Sequence, residues 1–343
     1  MMITRVKKAL RAALCLIFAV LMLAVLVSCG EKYEEATFFA MDTVISIKSD
    51  NADAIKAAEK RIGEIESVIS KTAEGSDVSL SNTDIDILID VSDDFSAVVS
   101  RAIEISEATD GAFDVTVGIL KELWEKCASL GHAPTEQEIK NALTYVSPHL
   151  ITIDDDCLEK AFKQVRIDLG AIGKGYTAEE AVKTMKDAGA ESGILSLGGN
   201  VAVFGKKKDG KPYRVAVKNP LDPEKSLGNI LLGEGFVSVS GDYERYIEIL
   251  TTGEKFCHIL DPKTGSPVAD GVHSVAVTGK DGTLCDALST ALFVMGKDKA
   301  IEFYEKKIYD FEFIIVTDDG VFASAGLDGK FDKARSVDVT YVG

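Results

Sequence analysis

The sequence predicts an α+β protein, because its helical and strand-like segments are unevenly distributed. Strands crowd between Tyr213 and Val277, whereas the longest helical periodicities lie before Leu130 and after Cys285, without regular strand–helix alternation. No internal repeat or low-complexity tract breaks the 343 residues. Roughly 300 of them follow the N-terminal segment, enough to bury a large core in one large domain or in two interlocked lobes.

Arg5, Lys7, Lys8 and Arg11 precede an apolar run from Ala12 to Val27, and no acidic residue occurs before Glu31. This is the layout of a signal peptide. The run is short of the about 20 residues that span a bilayer comfortably, and an uncleaved anchor is the alternative reading. It ends in Leu26-Val27-Ser28-Cys29, which looks like a bacterial lipobox with Cys29 as the lipidated residue. Residues 1–28 then form a lipoprotein signal peptide, 29–36 a tether, and 37–343 the functional domain. The body is expected outside the cytoplasm, lipid-anchored to the bacterial cell membrane, where two or more acyl chains hold it stably.

Within the body, Thr37 to Lys48 alternates as a strand does. Ile55, Ala58, Ile62, Ile65 and Ile69 fall at helical spacing and predict a helix over Ala54–Ile69. Glu74 to Asp94 is polar and reads as an irregular loop. Helices follow over Asp94–Thr109, stopped by Gly111, and over Leu120–Leu130, with Gly131 as a C-cap. Pro134-Thr135-x-x-Glu138 opens a short one. Gln164 to Leu169 reads as a strand that runs into Asp168-Leu-Gly-Ala-Ile-Gly-Lys-Gly175, and the next helix has Thr177 and Glu180 spaced as a capping box. Hairpin turns are expected at Gly233-Glu234-Gly235 and at Thr252-Gly253. Cys285–Met295, closed by Gly296, and Asp298–Lys307 are helical, and Phe311–Ser324 is a hairpin turning at Asp318-Asp319-Gly320.

The chain carries a formal charge of −17. Removing the four leader cations from its 38 leaves 34 basic against 55 acidic residues, so the body is near −21. Without a basic patch such a protein repels nucleic acid, which is excluded as a partner. A phosphate ligand would need positive charge concentrated locally, most simply by a divalent cation. Beyond the leader and Cys29, four cysteines remain, Cys127, Cys157, Cys257 and Cys285, with no zinc or CxxC spacing. Outside the cytoplasm they are open to disulfide pairing, or they are buried thiols.

Four places carry candidate chemistry. The glycine turn with Lys174 at a helix start suits an anion, because free N–H groups point outward and a full positive charge lies beside them; a plain tight turn is the alternative. Its spacing matches neither the Walker pattern nor GxGxxG. Asp286 and Thr290 are i and i+4 on one helix face, and a carboxylate beside a hydroxyl is a hard-oxygen pair suited to Mg²⁺. Asp286 as a helix cap and Thr290 bonded back to a carbonyl remain the alternatives. His258 ends a strand near a Pro/Gly turn, a place for catalysis or for a structural histidine. Asn200 follows Gly198-Gly199, where a ring or phosphate can come close.

Seven segments together resemble the ApbE family of FAD:protein FMN transferases. They are Ala40-Met-Asp-Thr43, Gly111-Ala-Phe-Asp-Val-Thr-Val-Gly118, Asp168 to Gly175, Leu197-Gly-Gly-Asn200, Ser238-Val-Ser-Gly-Asp-Tyr243, His258-Ile-Leu-Asp-Pro262 and Asp286-Ala-Leu-Ser-Thr290. They stand in the family's order over nearly all of the body. The resemblance implies one large domain of two interlocked α/β lobes around a mixed, largely antiparallel sheet. It implies transfer of FMN from FAD to a threonine or serine hydroxyl of a target flavoprotein, through a phosphoester bond, with release of AMP. It implies Mg²⁺ bound by Asp286, Thr290 and the carbonyl of Ala171. Flavin contacts carry over to Met41, Ala112, Phe113, Asp114, Asp168, Lys174, His258, Ile259 and Leu260. The family often has glycine where Asp42 stands, and Thr72 aligns where some members place an aromatic. Lys174 is expected to meet the phosphates, with His258 and Asp168 as the candidates for base. Two other outcomes fit the same residues: hydrolysis of FAD to FMN and AMP, or an FAD-binding lipoprotein without chemistry.

Overall fold

The computed structural model describes residues 33–343 apart from 84, 208, 223 and 244. The expected signal peptide, Cys29 and the first part of the tether lie outside the described residues. Residues 35–343 form one unit built on a nine-stranded sheet. Numbered along the chain, its strands lie side by side as β1 (Glu34–Ala40), β2 (Thr43–Ser49), β6 (Ser192–Leu197), β7 (Asn200–Gly205), β10 (Gly235–Gly241), β13 (Val272–Gly279), β14 (Phe311–Thr317), β15 (Gly320–Ser324) and β17 (Val339–Val342). From β2 to β15 every neighbouring pair is antiparallel, and β17 joins β15 in parallel. The expected mixed, largely antiparallel sheet is therefore present. Three small sheets complete the strands: β3 (Leu88–Asp90) with β5 (Cys157–Lys160) and β4 (Ile151–Asp154); β8 (Tyr213–Lys218) with β9 (Ser226–Leu232) and β16 (Phe331–Lys333); and β11 (Tyr246–Glu248) with β12 (Lys255–Cys257).

The described helices are α1 (Ala52–Ile69), α2 (Asp77–Ser81), α3 (Asp93–Ala108), α4 (Gly118–Ser129), α5 (Glu136–Leu143), α6 (Gly173–Asp187) and α7 (Gly282–Glu305). The isoleucine stripe of α1 is buried as its spacing requires, and Asn51 caps the helix by accepting from the N–H groups of Asp53 and Ala54. Helix α7 is apolar nearly all round and lies against β10 and β13. It breaks at Gly296, whose φ of 76° only glycine adopts freely, so the two predicted helices are two halves of one kinked element.

Two apolar clusters line the helical face of the sheet. One joins α3, α7 and β14 through Phe95, Leu288, Leu292 and Phe313. The other joins α1, α6 and β6 through Ile62, Ala181 and Leu195. They meet where α6 crosses α7. The opposite face of the sheet is covered by β8, β9 and β16, with Val203 and Val237 against Val215, Ile230 and Phe331.

Several expectations fail locally. Thr37 to Lys48 is not one strand but the hairpin β1–β2, turning at Met41 and Asp42 with φ of 53° and 57°. The strand β1 starts at Glu34, inside the expected tether. The expected loop between Glu74 and Asp94 contains α2 and β3. Gln164 to Leu169 enters no sheet and makes one isolated parallel bridge, Arg166 with Val117. Gly233 to Gly235 is not a hairpin, because β9 belongs to the small sheet and β10 pairs with β7 and β13; the turn carries the chain between sheets. Thr177 does not cap α6. The helix starts four residues earlier at Gly173, and the Thr177 hydroxyl donates back to the Gly173 carbonyl at 2.7 Å. The other turns, the capping box of α5 and the break after α4 are as expected. Cys127, Cys157, Cys257 and Cys285 are free thiols, so none forms a disulfide.

The α6–α7 crossing depends on glycine at two facing positions. A Cβ on Gly175 would lie 2.3 Å from the Gly282 carbonyl oxygen and 2.5 Å from Cβ of Asp286. Gly175→Ala is expected to destabilise the protein by about 1–3 kcal/mol in urea unfolding, as overpacking does. Gly63→Ala, whose Cβ meets nothing within 4 Å on α1, should instead stabilise it by roughly 0.5–1 kcal/mol. Equal responses at the two sites would show that the crossing is not tightly packed.

Candidate active site

A cavity of about 1220 Å³ opens beside the crossing, and all the site residues named from the sequence except Asn200 line it. Met41 comes from the β1–β2 turn, and Ala112, Phe113 and Asp114 from the segment after α3. Asp168, Ala171 and Lys174 come from the glycine-rich run, His258, Ile259 and Leu260 from the segment after β12, and Asp286 and Thr290 from α7. Thr72 lines it as well. Asn200 does not reach the wall; it lies behind it, 2% exposed.

The turn that brings Met41 into the wall is held from outside its own strands. The Met41 N–H donates to Oε1 of Glu66 on α1 at 2.5 Å. Asp42 follows with φ of 57°, a region that glycine enters freely and aspartate tolerates. Asp114 is buried, and its Oδ1 accepts from the Thr116 N–H at 2.8 Å and hydroxyl at 2.7 Å. Burial dominates there and raises its pKa.

Asp168 is the opposite case. Burial alone would raise its carboxyl, but Lys121 donates to Oδ1 at 2.7 Å, the Gly170 N–H donates to the same atom at 2.9 Å, and Lys71 lies 4.0 Å from Oδ2. Together they hold it at about 2. It is a fixed anion at neutral pH and a poor proton acceptor. Lys174, in the first turn of α6, donates to the Gly170 carbonyl at 3.0 Å, which draws the glycine run into a closed turn at the cavity wall.

Asp286 is 4% exposed and does not cap α7. That role belongs to Asp281, whose side chain accepts from the Leu284 N–H at 2.7 Å. Each Asp286 oxygen takes one hydrogen bond: Oδ2 from the Gly175 N–H at 2.8 Å, Oδ1 from Nδ2 of Asn200 at 3.0 Å. Among the described residues it has no cationic partner. Thr290 does not bond back along the helix; its hydroxyl lies 3.0 Å from that of Ser240 on β10. A buried carboxylate without a cationic partner among the described residues, in a cavity that Thr290 and Ala171 also line, fits a hard divalent cation. Among the described residues no three His, Cys, Asp or Glu side chains group as metal ligands. The donor set here needs only one of those types, the rest being neutral oxygens.

His258 sits just past β12, and its Nδ1 lies 3.0 Å from the Arg245 carbonyl. A carbonyl only accepts, so Nδ1 carries the proton and Nε2 keeps its lone pair. Burial first, then the positive charges of Lys121, Arg245 and Lys174, lower its pKa to about 4. The imidazole is neutral at physiological pH.

Five cations line the cavity: Lys71, Lys121, Lys174, Lys218 and Arg245. Only Lys174 was read from the sequence. The others stand far apart in the chain, and no run of basic residues marks them. They supply the local positive charge that the composition demands of an anion site in so acidic a protein.

A model of the ApbE family matches residues 41–315, across every element that lines this cavity. The chain belongs to the ApbE family. Among its ApbE relatives, the FAD:protein FMN transferase of Haemophilus influenzae is 32% identical over 300 residues, covering 82% of this chain and 86% of that protein. The counterpart in Vibrio cholerae is 33% identical over 226 residues, covering 65% and 67%. In solved structures, the ApbE protein of Thermotoga maritima superposes with a TM-score of 0.79 at 33% identity, covering 87% of this chain and 99% of that one. The flavin transferase ApbE of Vibrio cholerae superposes at 0.75 and 28% identity, covering 87% and 100%.

The depressed Asp168 carboxyl gives a pH prediction. Its stabilisation is complete above its unfolded value near 3.8 and is lost as pH falls toward about 2. Asp168→Asn should therefore cost on the order of 2 kcal/mol at pH 6, with the difference from wild type shrinking between about pH 4 and 2. Urea unfolding across that range measures it; a pH-independent difference would show that the lysines do not hold the carboxyl down.

Proposed function

We propose that this ApbE-family protein transfers FMN from FAD to a threonine or serine hydroxyl of a target flavoprotein, with Mg²⁺ bound by Asp286, Thr290 and the Ala171 carbonyl. The observation that carries the reading is the single cavity that joins an uncompensated buried carboxylate to a glycine–lysine helix start, in a chain whose relatives bear this activity by name. The acceptor oxygen attacks the FMN phosphorus, the bond from that phosphorus to the AMP oxygen breaks, and the electron pair leaves with AMP. The acceptor's proton goes to Nε2 of His258, which is unprotonated at neutral pH and has no hydrogen-bond partner among the described residues. Asp168 is too acidic for that task; with Lys121 it fixes the glycine run instead. Lys174 meets the phosphates, and a cation held by Asp286, Thr290 and the Ala171 carbonyl would supply Lewis-acid stabilisation of their developing charge. The flavin lies against Met41, the Ala112–Asp114 segment and the Ile259–Leu260 backbone.

We also propose that lipidated Cys29 anchors the protein outside the cytoplasm, a reading supported by the leader sequence. The mass of the mature N-terminus tests it, and an unmodified residue 29 would overturn it.

The activity test incubates the protein with FAD, Mg²⁺ and a domain bearing an acceptor threonine, and follows the domain's mass and in-gel flavin fluorescence. Covalent FMN on the domain is expected. FMN and AMP without label would indicate a hydrolase, and intact bound FAD a binding protein. Asp286→Ala should abolish transfer while weakening FAD binding less. In wild type the acid limb of kcat/KM should fall near pH 4 rather than 6.5, because the neutral form of His258 persists down to its lowered value of about 4. A limb near 6.5 would show that burial and the cavity cations do not lower His258, and a His258→Ala variant that keeps the wild-type rate would remove it from the role of base.

A further inference from the structure

We propose that Ser238 and Ser240, two serines on one face of β10, are positioning residues that set the proton directions around Asp286 and Thr290. Both ligands are thereby left presenting lone pairs to a divalent cation. The proposal deepens the metal reading above and rests on it.

The first leg is a chain of hydroxyls, each with a single proton. Ser289 donates to the backbone carbonyl of Asp286 at 2.8 Å, and a carbonyl only accepts. The Ser289 proton is thus used, so Ser240, whose Oγ lies 2.8 Å from that of Ser289, donates to it. The Ser240 proton is then used in turn. Thr290, at 3.0 Å from Ser240, must donate to Ser240. Its proton points away from any ion that Asp286 shares, and its oxygen keeps lone pairs for that ion. Reversing any bond in the chain would leave one oxygen pair facing each other with no proton between them.

The second leg runs through Asn200. A carboxylate only accepts, so the Asn200 NH₂ group faces Oδ1 of Asp286, and the amide oxygen faces the other way. There it accepts the Ser238 proton. Ser238 and Asn200 are direct cross-strand partners on β10 and β7, 1% and 2% exposed. Without the Ser238 hydroxyl, the amide oxygen has a buried face without a donor, and the amide loses the bond that fixes its orientation. The two serines are i and i+2, which a strand places on the same side, while Val237 and Val239 point to the opposite apolar cluster. Asp286 is then locked by β7 through Asn200 and by α6 through the Gly175 N–H, with one lone pair taken on each oxygen.

The probe is Mg²⁺ itself, titrated into the full chain by calorimetry, and read in parallel as the Mg²⁺-dependent rise in unfolding temperature. Ser238→Ala and Ser240→Ala are each expected to raise the Mg²⁺ concentration at half-effect by about tenfold or more, as loss of an orienting partner does at metal sites. Asn200→Asp, nearly isosteric, is expected to lower the unfolding temperature in EDTA, because two carboxylates then face each other, and to show a larger Mg²⁺-dependent rise than wild type. A purely structural role for the serines would lower unfolding temperatures in EDTA while leaving the Mg²⁺ response of the alanine variants at the wild-type value, and that result would overturn the proposal. Wild type that transfers FMN with no Mg²⁺ response would sink the metal reading and this proposal together. Wild type with a Mg²⁺ response and no transfer would sink the transferase reading and leave the serine assignment standing.

Discussion

Asp286 brings a carboxylate into the place where α6, α7 and the central sheet meet, and the packing there satisfies the charge without neutralising it. Burying a carboxylate costs several kcal/mol unless hydrogen bonds or a cation replace the lost water. Two donors do part of that work, one from the first turn of α6 and one from β7. Neither is a cation. The Gly175 N–H reaches the carboxylate because residue 175 has no side chain, and α7 comes close because residue 282 has none either; a Cβ on Gly282 would lie 2.7 Å from the Phe236 ring. One charged group therefore ties two helices and the sheet together, and leaves a standing electrostatic demand for a cation at the cavity wall. The glycine run and the Asp286–Thr290 face are the two sides of one crossing.

The same demand appears at the scale of the whole chain. A protein of charge −17 cannot hold a pyrophosphate without concentrating opposite charge. The fold does so by bringing Lys71, Lys121, Lys174, Lys218 and Arg245 to one cavity from separate elements. Two of these are spent on Asp168, which turns a buried carboxylate into a fixed anchor. Burial first, and then Lys121, Arg245 and Lys174, also lower the histidine: the positive charge that suits phosphate opposes a proton on His258. The positive charge gathered at the cavity and the neutrality of His258 are in this way linked.

Much of the site was legible because its chemistry is written in short local runs. The Asp168–Gly175 run, the i, i+4 pair Asp286–Thr290 and the strand-end His258 are each contiguous, and their order along the chain carried the resemblance. What depends on distant residues was not legible. Lys121 and Lys71 look like ordinary surface lysines until the fold sets them against Asp168. Thr177 and Glu180 have the spacing of a cap, but the start of α6 is decided by the packing of Gly173 and Gly175 against Ile69 and Gly282. Gly233 to Gly235 announced a turn correctly and its partner wrongly, because turn chemistry fixes a change of direction and says nothing of which strand pairs next.

Asp168 and His258 show what kind of catalyst this geometry makes. Enzymes that divide acid and base work push two pKa values apart. Here both are pushed down, one by lysines at its oxygens and the other by burial and cations, to about 2 and about 4. Between pH 5 and 9 neither changes its charge. A site with fixed charges stores nothing in its proton inventory, and on the proposed reading it would gain its rate from placement: an anion that holds the glycine turn, a neutral imidazole oriented by the Arg245 carbonyl, and oxygens able to hold a cation. Phosphoryl transfer, which asks little covalent work of the protein, is the chemistry that such a preorganised site can serve.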